Sequence, residues 1–148
     1  MSARSKDNDE VRRFLHAHVP EIASGAVQIK GVEREAGQRA IVAVHASNDG
    51  ICAVGACAGL RGEHIKALVR ALSGDTVEIM RWSESVSDYI RNLLAPARVE
   101  QIDFDTEAHR ATVTVSGDTT RLTQDGGVRL RLASRLAGWD LHLLGTQV

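Results

Sequence analysis

An internal repeat constrains this chain more than any other feature. Aligning Gly74 with Gly138 lays LVRALSGDTVEIM over LASRLAGWDLHLL, with the apolar positions largely superimposed. Upstream of each of these segments lie two β-rich stretches and a glycine-containing loop. A period of this size means one supersecondary unit used twice. In 148 residues, two copies of a β-β-loop-helix-β unit leave no room for a third domain.

The local patterns fill in the unit. Val11, Phe14, Leu15 and His18 recur at helical spacing, and Pro20 closes a short N-terminal helix. AVQIKGVERE and RAIVAVHA read as paired strands joined by a turn at Ala36, Gly37 and Gln38, with a bulge at Gly31. Ile65, Leu68, Val69 and Leu72 mark an amphipathic helix from near Gly62 to Gly74. DTVEIMRW follows as a third strand, and SVSDYIRNLL as a connecting helix that stops before Pro96. After it the order repeats, through VEQIDFD, HRATVTVSG, a QDGG loop, VRLRLASRLAG and WDLHLL.

Composition narrows the class. With 43% hydrophobic and 25% charged residues, a folded soluble domain fits and a disordered or fibrous chain does not. The apolar run around Ile41 to Ala46 is far shorter than the roughly 20 residues of a membrane helix. The polar start MSARSKDNDE lacks the apolar segment of a secretory signal. A cytoplasmic location is therefore expected. Cys52 and Cys57 have neither CxxC spacing nor a second ligand pair, so they are expected to be small buried hydrophobes. His16 and His18 point to different helix faces. No metal and no cofactor are expected.

The net charge of -1 hides an asymmetry: residues 1–74 hold 10 basic against 8 acidic side chains, and residues 75–148 hold 8 against 11. Phosphate contact is thus favoured in the first half. There the candidate site is Gly59-Leu60-Arg61-Gly62, at the mouth of the amphipathic helix. Helix N-termini present unpaired N–H groups and partial positive charge to phosphates. Flanking glycines admit a sugar-phosphate backbone closely, and Arg61 adds a cation at the tip. Lys66 and Arg70 share the next helix face, where they either follow an RNA backbone or form a solvated face.

GLRG has the form of the GXXG loop of KH domains, which clamp about four nucleotides. Longer strings carry the resemblance further. VGACAGLRGEHI resembles the first KH signature of the bacterial transcription factor family NusA, with Ala58 and His64 in place of its usual valine and arginine. EIMRWSES, RNLLAPARV and RLASRLAGWDLHLL are similar to further stretches of the same family, and the match runs from about Ile22 to Leu144.

The resemblance implies an α+β fold: two tandem type II KH domains, built as β-β-α-GXXG-α-β units behind a short N-terminal helix. It divides the chain into a tail and helix at 1–24, a first KH domain at 25–95 and a second at 96–148. It further implies binding to single-stranded nascent RNA, action in transcription elongation, termination or antitermination, and contact with RNA polymerase. Without the other NusA domains, the chain is expected to be a standalone two-KH protein or an excised fragment.

The second copy departs from the family pattern at its loop. Gln124 replaces the first glycine, and Asp125 and Gly126 replace the basic pair. An acidic residue facing phosphate costs electrostatically. The second KH domain is therefore expected to bind weakly or serve as a scaffold, with Gly126, Gly127, Arg129 and Arg131 as secondary RNA-binding candidates and Arg135 beside them.

Other classes fit less well. Aromatics make up 3% of the chain, against RRM and OB folds, which stack bases on exposed rings. Trp82 and Trp139 are read as ending equivalent strands and closing small cores. No nucleophile elbow, Walker loop, HExxH pair or dinucleotide fingerprint is present, so an enzyme is not expected. The alternative is a protein interaction module that keeps the KH scaffold and has largely lost RNA binding.

Overall fold

The computed structural model describes residues 3–123 and 125–145, with side chains from Asn8 onward except that of Asp125. It comprises two compact units, Met1–Trp82 and Ser83–Val148.

In the first unit, helix α1 (Ala3–His18) buries Val11 and Leu15, one helical turn apart, against the sheet. Pro20 does more than end it: the proline occupies the first turn of a short helix α2 (Pro20–Ala23), where its missing N–H costs nothing. Strands β1 (Val27–Glu35) and β2 (Arg39–Ala46) run antiparallel, with a register slip between Ile29 and Gly31 that makes Lys30 the bulged residue. Strand β3 (Thr76–Arg81) lies parallel to β2. A parallel neighbour requires a crossover, which helices α3 (Ala53–Ala58) and α4 (Glu63–Ala71) supply. Val32, Ala40, Val42, Val44, Cys57, Leu68 and Leu72 form the centre of this unit's core.

The second unit repeats the plan. Helix α5 (Val86–Leu94) precedes strands β4 (Arg98–Asp105) and β5 (Arg110–Ser116), helices α6 (Thr120–Thr123) and α7 (Val128–Ala137), and strand β6 (Asp140–Gly145). Its sheet has the order β4-β5-β6, antiparallel then parallel, and β4 slips register between Val99 and Gln101. Both units thus have the αββααβ order and mixed sheet of type II KH domains.

This division reassigns α5. The sequence reads it as a connecting helix at the end of a first domain closing at residue 95, whereas the compact boundary falls at Trp82 and Ser83. Ser85 caps α5 by accepting from the Asp88 N–H at 3.3 Å, and the helix packs on α7 and β4. It is to the second unit what α1 is to the first. Recounted at that boundary, the charge asymmetry shrinks to 11 basic against 10 acidic residues and 7 against 9.

The tryptophans also differ from expectation. Trp82 follows β3, whereas Trp139 precedes β6, so they flank opposite ends of equivalent strands, and both are half-buried. Lys30 Nζ lies 4.4 Å above the Trp82 ring, and His45 meets that ring edge-on at 5.2 Å.

Sheet pairing makes Arg34 the counterpart of Phe104 and Asp75 the counterpart of Trp139. In the first unit these positions form a buried ion pair, Arg34 Nε donating to Asp75 Oδ2 at 2.9 Å. Arg34 also reaches Glu10 at 3.1 Å, and Asp75 accepts the Gly37 N–H at 3.2 Å. In the second unit the same positions hold an edge-on aromatic pair, Phe104 and Trp139 at 4.8 Å, with His109 stacked on the tryptophan at 4.3 Å.

Candidate nucleic-acid interface

The first loop is shaped by a run of unusual backbone. Gly59 ends α3 at φ 79° and ψ 172°, donating its N–H to Gly55 O at 3.0 Å. Arg61 (φ 57°, ψ 25°) and Gly62 (φ 74°, ψ 22°) are both left-handed, and α4 begins at the next residue. Two left-handed residues in succession are costly for L-amino acids, and only the second is a glycine. The Gly62 N–H closes the turn on Gly59 O at 3.0 Å.

The two glycines do different work. A Cβ on Gly62 would meet nothing within 4 Å, so this position needs glycine for its φ and leaves open space above the turn. At Gly59 a Cβ would sit 2.5 Å from the His64 ring and 2.8 Å from Glu63 Cγ. Close approach at Gly59 is thus used by the protein itself: His64 covers the glycine and braces the loop.

The tip faces solvent. Leu60 is 78% exposed, and Arg61 is exposed beside it. Lys66 and Arg70 are exposed on one face of α4, and neither they nor Arg61 has an ion-pair partner among the described residues. The structure therefore brings Gly59, Leu60, Arg61, Gly62, Lys66 and Arg70 together as one loop-and-helix surface. It offers one apolar side chain, three unneutralised cations and the outward N–H groups of a helix start.

The second loop keeps the backbone and changes the chemistry. Gly126 (φ 65°, ψ 22°) and Gly127 (φ 82°, ψ 16°) repeat the left-handed pair, and α7 starts at Val128. Gly126 therefore stands where Arg61 stands, without a cation. The substitution at Gln124 lies outside the described residues.

Arg131 folds back to donate to Gly126 O at 2.7 Å. Arg129 departs from its expected place: it is 1% exposed and donates to Ala95 O at 3.0 Å, so it belongs to the interior of the unit rather than to the loop surface. Helical spacing carried that signal, since Arg129 stands three and four residues before the buried Leu132 and Ala133.

The cysteines divide as well. Cys57 is fully buried, and burial, followed by the charge of Glu21, pushes its thiol up to about 11. Cys52, expected to be buried, is exposed and accepts the Gly55 N–H at 3.4 Å as the cap of α3.

The family model of the NusA-like first KH domain matches residues 5–82, more than half of the chain. Relatives named transcription termination/antitermination protein NusA are similar along most of its length. The protein of Thermus thermophilus is 42% identical over 89% of this chain and 34% of its own, and that of Halalkalibacterium halodurans 36% over 90% and 35%. The Rickettsia prowazekii protein is 35% identical over 93% and 28%. The chain thus spans about a third of the length of these relatives. Among solved structures, the crystal structure of APE1850 superposes with a TM-score of 0.64, covering 95% of this chain and 98% of that one at 19% identity, which is a likeness of fold. The family strings, the αββααβ units and the match over residues 5–82 together place this chain in the NusA-like KH family.

Proposed function

We propose that this chain binds single-stranded RNA in the cytoplasm, with the Gly59–Gly62 loop of the first KH unit as its main clamp. It acts on nascent transcripts at RNA polymerase, in elongation, termination or antitermination, as the relatives' name suggests. The observation that carries this reading is the left-handed Arg61–Gly62 pair. It holds Leu60 and an unneutralised Arg61 outward at the mouth of α4. An RNA backbone placed there meets helix N–H groups and Arg61, and Lys66 and Arg70 extend the positive track.

Fluorescence anisotropy with single-stranded and duplex RNA tests the reading. Single strands are expected to bind more tightly, with affinity falling as salt rises. Leu60→Asp and Arg61→Asp are each expected to weaken binding about tenfold or more, roughly 1.4 kcal/mol. Equal binding by wild type and both variants would sink the clamp.

The acidic second unit and its loop, in which Gly126 stands at the position of Arg61, favour a second reading, a KH scaffold that serves protein contacts. It expects polymerase to be recovered from nuclease-treated extract equally by wild type and by Arg61→Asp. Recovery that vanishes with nuclease would exclude it.

A further inference from the structure

The first unit also contains a cleft of about 460 Å³ at the opposite end of α3 from the GLRG loop. The end of β2, residues 47–52, the start of α3 and Arg81 line it. Its volume falls within the roughly 300–1,000 Å³ of small-molecule sites. The four α3 residues beyond Val54 separate it from the loop by about 6 Å, a distance that a strand clamped over four nucleotides covers.

The lining suits a neutral, hydrogen-bonding ring better than a phosphate. Ile51 and Val54 supply half-buried apolar wall, and Arg81 is exposed at the rim. His45 is oriented by its edge-on contact with Trp82. Asn48 accepts the Gly50 N–H at 2.8 Å through Oδ1, leaving its NH2 group as a donor, while Asp49 offers an acceptor. A phosphate would meet the Asp49 carboxylate, whereas a base edge uses donors and acceptors together and can stack on a guanidinium plane.

We propose that this cleft receives one unstacked nucleobase of the same RNA strand, beyond the nucleotides held at the loop. The inference rests on the RNA reading above. It makes the segment 47–52 a specificity element, whereas the loop supplies sequence-independent grip.

Cys52 provides the test, because its exposed thiol lines the cleft while Cys57 is buried. Maleimide labelling of Cys52 is measured on the full chain, free and with single-stranded RNA at a concentration shown by anisotropy to saturate wild type. The RNA is expected to slow labelling at least about fivefold, and Asn48→Ala combined with Asp49→Ala to weaken binding several-fold. RNA that binds through Arg61 without slowing the labelling would overturn the cleft and leave the clamp standing. Protection without any effect of the double variant, or equal protection by inorganic phosphate, would also overturn it. Absence of RNA binding altogether would overturn both.

Discussion

The two KH units share a backbone plan and differ in how each closes its sheet and equips its loop. At one pair of equivalent positions, the first unit buries Arg34 with Asp75, and the second sets Phe104 edge-on to Trp139. At the loops, Arg61 in the left-handed position is answered by Gly126. The sheet pair shows that one fold accepts either charge complementarity or aromatic contact at the same place. The loop pair shows that turn geometry and cationic charge are separable, because the second unit retains the turn with Gly126 at the position of Arg61.

The sheet contrast predicts the largest difference. Asp75→Ala removes the buried carboxylate that pairs with the Arg34 guanidinium, and removing one partner of a buried pair costs about 3–5 kcal/mol. Phe104 is 41% exposed, and Phe104→Leu is expected to cost about 1 kcal/mol, the scale of an aromatic pair. Denaturant unfolding followed by Trp82 or Trp139 fluorescence, each in a background with the other tryptophan changed to Phe, separates the units. Equal losses would remove the distinction.

Alkaline titration is expected to give a smaller, staggered effect. Burial raises Cys57 in the first unit from 9.0 to about 11 and Tyr89 in the second from 10.0 to about 12. Each folded unit holds its proton more tightly than its unfolded chain does, so stability is full below the unfolded pKa and declines as pH rises towards the folded one. The first unit should lose on the order of 2 kcal/mol between pH 9 and 11, and the second a similar amount between pH 10 and 12. Cys57→Ala should abolish the earlier decline, and an unchanged pH profile would refute the assignment.

The loop contrast yields the smallest effect. Arg61→Gly should reduce the slope of log affinity against log salt by about 0.7, the contribution of one phosphate contact on a single strand. Gly126→Arg, at a φ that Arg61 already adopts, should restore about as much to an Arg61→Gly chain and recover affinity a few-fold. If the slope does not move with either change, Arg61 is not the residue that meets phosphate.

Much of this was legible in the sequence because it is written locally. The β1 bulge showed as a phase slip at Gly31, α4 as an i, i+3, i+4, i+7 stripe, and the loop as two glycines before that stripe. The helix α3 did not show in the residues, since AVGACA is too short for periodicity and consists of small side chains. Its presence was implied by the family resemblance alone.

Features that depend on distance in the chain stayed hidden. Arg34 within VERE looks like a solvated strand charge, and nothing nearby announces a partner 41 positions later. For Arg129, helical spacing points inward, but its acceptor, Ala95 O, lies 34 positions earlier and is not announced locally. Helix α5 could belong to either neighbour until its contacts with α7 and β4 were seen.

The Arg34 network has a consequence for the order in which the chain is made. Glu10, Arg34 and Gly37 leave the ribosome well before Asp75. Until that carboxylate emerges, Arg34 lacks the buried partner it meets in the folded unit, and burying a cation without that partner is unfavourable. The nascent first unit is therefore expected to bury Arg34 on its sheet only after the residue before β3 has been synthesised. Proteolysis of stalled nascent chains is expected to show the first unit gaining resistance once Asp75 and the strand after it have emerged.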